Sequence, residues 1–104
     1  MTATVIVQPE AESDLAEAFR WYEQRSPGLG DDFLDEIDRV FGLIAENSLL
    51  TAPVWRAARR AIPRRFPYVV IYVERGDRVY VLGVLHQRRN PSLTRRRTGD
   101  FEAG

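Results

Sequence analysis

"FPYVVIYVERGDRVYVLGVLH", residues 66–86, decides the fold. Two runs rich in valine, isoleucine and tyrosine, 66–74 and 78–86, flank the short "RGD" segment. β-Branched and aromatic side chains suit a pleated backbone, and Gly76 supplies the turn conformation. The stretch therefore predicts an antiparallel β-hairpin. Both runs are apolar on both faces for much of their length, so something packs against each face of the sheet, at least centrally.

Working outward from the hairpin, Arg59 to Ile62 predicts a further short strand that Pro63 ends, and "NSLLTAPVW" (47–55) reads as a loop. Upstream, Phe33, Ile37, Val40, Phe41 and Ile44 share one face of a helix that opens on acidic residues, with Gly30 or Asp31 as its cap. Ala11, Leu15, Ala18, Phe19 and Tyr22 mark an earlier amphipathic helix, started by Pro9 and stopped at "RSPGLG" (25–30). The short turn between them predicts an antiparallel helix hairpin. "TVIVQP" (4–9) reads as a first strand. The fold class is α+β: an N-terminal strand, an antiparallel helix hairpin, then a small antiparallel sheet. One domain spans 1–104, with a core at about 4–92 and a polar tail, 93–104, expected to be flexible.

No run of eighteen apolar residues is present, so no membrane-spanning helix is expected, and the N-terminus lacks the basic and apolar regions of a secretory signal. Without cysteine there is no disulfide framework or thiolate site, which fits a reducing cytoplasm. With a single histidine, neither a metal nor a cofactor is expected. Gly-rich phosphate loops, nucleophile elbows and metal-spaced His–carboxylate motifs are all missing.

The zero net charge hides a split. Residues 1–50 hold eleven acids and three arginines; residues 51–104 hold twelve arginines and four acids. Such asymmetry points to acidic or polyanionic partners. All fifteen basic residues are arginine, a usage that a GC-rich genome also produces. In an antiparallel hairpin the start of one strand lies beside the end of the other. Arg64 and Arg65, just before Phe66, are therefore expected near His86, Arg88 and Arg89, with Tyr68 within reach. Guanidinium forks suit carboxylate and phosphate recognition; the plainer alternative is solubility and pairing with the acidic helices. His86 has the chemistry of an acid or base, or of a structural hydrogen-bonding residue. Trp21, off the main helix stripe, and Trp55, in the loop, mark either a partner surface or packing under the loop.

"AEAFRWYEQRSPGLGDDFLDEIDRVFGLI" resembles the helix hairpin of the RelE/ParE superfamily of bacterial toxins, often labelled plasmid-stabilisation proteins. "RRFPYVVIYVERGDRVYVLGVLHQRRNP" resembles its hairpin and terminal motif, an arginine before Phe-Pro-Tyr and a strand ending His-x-Arg-Arg-Asp/Asn-Pro. The resemblance implies a cytoplasmic toxin of a type II toxin–antitoxin system. Its partner is a co-operonic antitoxin, whose acidic or amphipathic segment wraps the toxin and folds on binding. RelE-like members cut messenger RNA on the ribosome, with basic residues and usually a tyrosine near the C-terminus. Here no tyrosine follows Tyr80 and there is no lysine. The ParE-like side is therefore favoured, and it implies growth inhibition through poisoning of DNA gyrase. On that reading no residue is catalytic, and Arg64, Arg65, Tyr68, His86, Arg88 and Arg89 bind the target or the antitoxin. The alternative is a ribosome-dependent endoribonuclease in which Arg64, Arg65 and Arg88 contact the phosphate and His86 moves a proton. A second alternative is a non-toxic member that only binds its antitoxin. Sequence-specific DNA binding would belong to the antitoxin, not to this chain alone.

Overall fold

The computed structural model describes residues 2–88 and 91–104. In chain order the elements are β1 (Thr4–Val7), α1 (Pro9–Arg25), α2 (Leu29–Glu46), β2 (Pro53–Trp55), β3 (Ala58–Ala61), β4 (Tyr68–Arg75), β5 (Arg78–His86) and α3 (Pro91–Ala103). The five strands form one sheet in the order β1-β5-β4-β3-β2. The expected hairpin is β4–β5, with Arg75 opposite Arg78 and Tyr68 opposite His86.

Three features differ from the expectation. The sheet is antiparallel from β2 to β5, but β1 joins it in parallel, with Thr4 beside Arg78 and Val7 beside Val81. β1 ends after only four residues, and α1 continues beside the stretch of β5 that β1 leaves uncovered. The expected loop at 47–55 contains β2, a three-residue edge strand whose Pro53 is tolerated because an edge position needs no donor on its outer side. The expected flexible tail is instead the helix α3. Leu93 and Phe101 anchor it against the sheet, and Thr98, fully buried, satisfies its hydroxyl by donating to the Thr94 carbonyl at 2.7 Å.

α1 and α2 cover one face of the sheet, and α3 covers part of the other, which is why both strands of the hairpin are apolar on both faces. Phe33, Ile37, Val40 and Ile44 pack with Val70, Tyr72, Val79 and Val81 on the first face. Val69, Ile71, Val73, Leu82 and Leu85 build the second core against α3. A bulge sets the phase: Ile71 faces Gly83 and Tyr72 faces Val81, so Leu82 is the extra residue of β5. Because of that insertion both Val81 and Val84 face α1 and α2.

The bulge leaves β5 backbone groups exposed at an edge that β1 no longer pairs. One ion pair satisfies them. Asp14 of α1 accepts the Val84 N–H at 3.0 Å, and Arg97 of α3 donates to the Leu82 carbonyl at 2.8 Å. The two side chains also meet as a fork, Nη1 to Oδ2 at 3.0 Å and Nη2 to Oδ1 at 3.1 Å. The helix hairpin is closed by similar means. α2 starts one residue before the expected cap, with Gly28 at φ 88. The Glu23 carboxylate of α1 accepts the N–H groups of Gly28 at 2.9 Å and Gly30 at 3.0 Å.

Candidate functional site

The end of the sheet where β4 begins and β5 ends gathers three of the six residues expected to bind: Tyr68, His86 and Arg88. Tyr68 and His86 are cross-strand partners, and their rings meet edge to face at 5.3 Å. The Arg88 N–H donates to His86 Nδ1 at 3.1 Å, so the ring proton of a neutral His86 sits on Nε2. The Gln87 N–H donates to the Pro67 carbonyl at 2.8 Å and keeps the two strand ends together as they leave the ladder.

His86 stands between two grooves. On the α3 side a concave groove of about 840 Å³ runs between the sheet and the start of α3. Its floor is apolar: Val69, Ile71 and Leu85 from the central strands, with Val54 and Ile62 from the edge. Val54 and Ile62 are 48% and 57% exposed, unusual for such residues on a sheet surface. Around that floor stand Arg60 from β3, Arg88 beyond β5 and Arg95 from α3, and no carboxylate among the described residues lines the groove. Trp55 lines one wall, with the Arg56 guanidinium 4.4 Å and the Arg95 guanidinium 5.9 Å from its ring centroid. Arg60 reaches this face because it pairs with Ile71, an outward residue of β4. An apolar strip rimmed by guanidiniums suits an amphipathic acidic segment, whose apolar side chains cover the floor while its carboxylates meet the arginine forks.

Arg64 and Arg65 stand elsewhere. Their N–H groups both donate to Glu36 Oε2 of α2, Arg65 at 3.2 Å. Phe66, at φ 73, turns the loop toward the helices and sets its ring between Tyr22 at 4.8 Å and Phe33 at 5.4 Å. Both arginine side chains are exposed, and neither lines the grooves beside His86. The expected single basic end is thus divided: Tyr68, His86 and Arg88 stay together, while Arg64 and Arg65 form a separate corner against α2. Arg89 lies outside the described residues.

Glu36 organises that corner. Arg39 forks onto it, Nε to Oε1 at 2.7 Å and Nη2 to Oε2 at 2.9 Å. The Arg39 guanidinium first, then the Arg64 and Arg65 amides, hold the Glu36 carboxyl at about 2 against its ordinary 4.5, overriding burial, which pushes it up. Burial, and next the neighbouring Tyr68, raise the Tyr22 phenol above its ordinary value. Sequence reasoning did not single out Glu36, Arg60 or Arg95 as site residues, and it left Trp55 between a partner surface and packing under the loop. The only signal for Arg60 was its position within a short strand, since a residue's face follows from register. Among the described residues no group of three or more His, Cys, Asp or Glu could hold a metal ion. No helix among them is long and apolar enough to cross a membrane.

Residues 5–91 match the family described as the ParE toxin of type II toxin–antitoxin system, parDE. The chain is 30% identical over 100 residues to Toxin ParE2 of Mycobacterium tuberculosis, in each of two strains, an alignment covering 88% of this chain and 89% of the relative. Its fold is similar to that of a solved chain from the "Chromosomal ParDE TA system from P. aeruginosa", with a TM-score of 0.72 at 13% identity over 82% of this chain and 96% of that one. That last likeness concerns the fold alone. The chain belongs to the ParE toxin family of type II toxin–antitoxin systems.

Proposed function

We propose that this toxin is neutralised by an antitoxin whose acidic, amphipathic segment lies in the concave groove, and that it acts in the cytoplasm by binding DNA gyrase rather than by breaking a bond. The observation that carries the antitoxin reading is the groove itself: an apolar floor on which Val54 and Ile62 are exposed, rimmed by Arg60, Arg88 and Arg95, with no carboxylate among the described residues lining it. A segment that folds as it binds must offset its ordering entropy, and a groove offering apolar area and charge together does so. The gyrase reading is supported by ParE family membership and by the lack of lysine and of any tyrosine after Tyr80. Binding of either partner would draw on Arg88, Tyr68 and His86, with Arg64 and Arg65 as a separate contact corner.

The test uses purified, antitoxin-free protein in a gyrase supercoiling assay, with ribosome-programmed messenger RNA cleavage measured on the same preparation. Inhibited supercoiling or trapped cleaved DNA, with intact messenger RNA, is the expected result. One observation favours the ribonuclease reading: His86 and three arginines line one groove. With Nδ1 engaged by the Arg88 amide, a proton would have to pass through Nε2. Cut messenger RNA with unaffected gyrase would establish that reading instead.

A further inference from the structure

The second groove beside His86, about 390 Å³ on the α1 side, has the opposite chemistry. Asp14, Glu17 and Trp21 of α1 form one wall, and Tyr68, Leu85 and His86 form the other. Among the described residues its lining holds two carboxylates and no arginine, whereas that of the concave groove holds three arginines and no carboxylate. Four aromatic rings run along it in sequence: Trp21 to Tyr22 at 5.1 Å, Tyr22 to Tyr68 at 6.1 Å, and Tyr68 to His86 at 5.3 Å.

Aromatic faces combined with a carboxylate recognise cations, because ring quadrupole and anion attract the same charge. Trp21 already demonstrates this within the chain, since the Arg25 guanidinium sits 3.7 Å from its ring centroid. Of the two carboxylates, Asp14 is committed to Arg97 and the Val84 amide. Glu17 takes part in no salt bridge among the described residues, so it carries the charge offered to a ligand. The two grooves also adjoin: Leu85 and His86 line both. A chain following the concave groove passes over His86 into this one.

We propose that the α1-side groove receives an arginine or lysine side chain of the antitoxin, from the segment whose acidic part occupies the concave groove. This rests on the antitoxin reading above and adds to it a rule of charge order. The bound segment presents carboxylates on one side of His86 and a cation on the other. A wholly acidic segment would meet repulsion from Glu17, so the groove discriminates between antitoxins of similar net charge.

The experiment measures affinity between the full-length toxin and the antitoxin encoded by the neighbouring gene, for wild type, Glu17→Gln, Glu17→Arg and, as a matched exposed control on α1, Glu12→Gln. Expected are a loss of roughly tenfold for Glu17→Gln, a larger loss for Glu17→Arg, and no change for Glu12→Gln. Each arginine and lysine of the antitoxin is then replaced by alanine. One of them is expected to weaken wild type but to have little further effect on Glu17→Gln. Wild-type circular dichroism in the Glu17 variants guards against misfolding. If affinity falls with Arg60→Glu in the concave groove but stays within twofold for both Glu17 variants, the cation site is overturned and the antitoxin reading stands. Coupling of Glu17 to no basic residue of the antitoxin also overturns it. If wild type does not bind that protein at all, the antitoxin reading fails and the cation site falls with it.

Discussion

Replacing Arg97 with alanine removes three hydrogen bonds at once, two to Asp14 and one to the Leu82 carbonyl. It also leaves the Asp14 carboxylate, whose side chain is 15% exposed, with only the Val84 N–H as a partner. Breaking a buried pair by removing one partner costs about 3–5 kcal/mol, because the remaining charge is stranded. Water still reaches these side chains, so the lower end applies, about 3 kcal/mol. For a domain of this size that corresponds to a fall in Tm of roughly 15 °C. Arg97→Lys should recover only part of the loss, since an ammonium cannot fork across two carboxylate oxygens and a carbonyl. The assay is thermal unfolding followed by circular dichroism, completed by Asp14→Ala and the double variant. Asp14 and Arg97 should couple by about 1.5 kcal/mol or more. A change in Tm below about 2 °C, or a cost for Arg97→Ala that is undiminished once Asp14 is gone, would refute the reasoning.

Three further outcomes are expected. Glu36 has its folded-state pKa depressed to about 2 from 4.5, so its contribution is fully present above 4.5 and lost as the pH falls through 2. Urea midpoints measured across that window should fall more steeply for wild type than for Glu36→Gln; parallel curves would remove Glu36 from the account. Gly30→Ala places a Cβ 2.6 Å from Phe19 Cδ2 and 2.9 Å from the Phe19 carbonyl oxygen, and should destabilise by about 1–3 kcal/mol. Gly42→Ala, inside α2 with open space around its Cβ, should stabilise by roughly 0.5–1 kcal/mol, so equal signs in the two melts would contradict the packing described. Arg60→Glu and Arg95→Glu should leave the melt unchanged and weaken antitoxin binding at least tenfold at low salt, by a margin that shrinks as salt rises, read by titration at two ionic strengths.

Periodicity revealed the elements whose pattern is local. β4 and β5 announced themselves by β-branched runs around Gly76, and α2 by a stripe from Phe33 to Ile44. α3 did not, although Leu93, Arg97 and Phe101 fall at four-residue steps on one helical face. Two of its inward residues, Arg97 and Thr98, are polar, and each is accommodated by a partner that only the folded chain supplies. β1's parallel pairing was hidden because direction depends on the course of the helices, not on composition. At the site, register alone made the pairing of Tyr68 with His86 legible. The placement of Arg64 and Arg65 was not, because it turns on a carboxylate 28 residues away and on a phenylalanine held at positive φ. Arg95 enters the concave groove only because α3 folds back, which no hairpin argument could foresee.

The sheet order also bears on how the protein comes into being. β5 is the last of the five described strands in chain order, yet it sits between β1 and β4 and joins them. A growing polypeptide that has completed both helices and four strands still lacks the member that ties its N-terminal strand to the rest. The groove floor lacks Leu85, both grooves lack His86, and the Asp14–Arg97 clasp has neither its second member nor the backbone groups it holds. Folding of the binding surface thus waits until β5 and α3 have been made, and a nascent chain interrupted before β5 carries no competent surface.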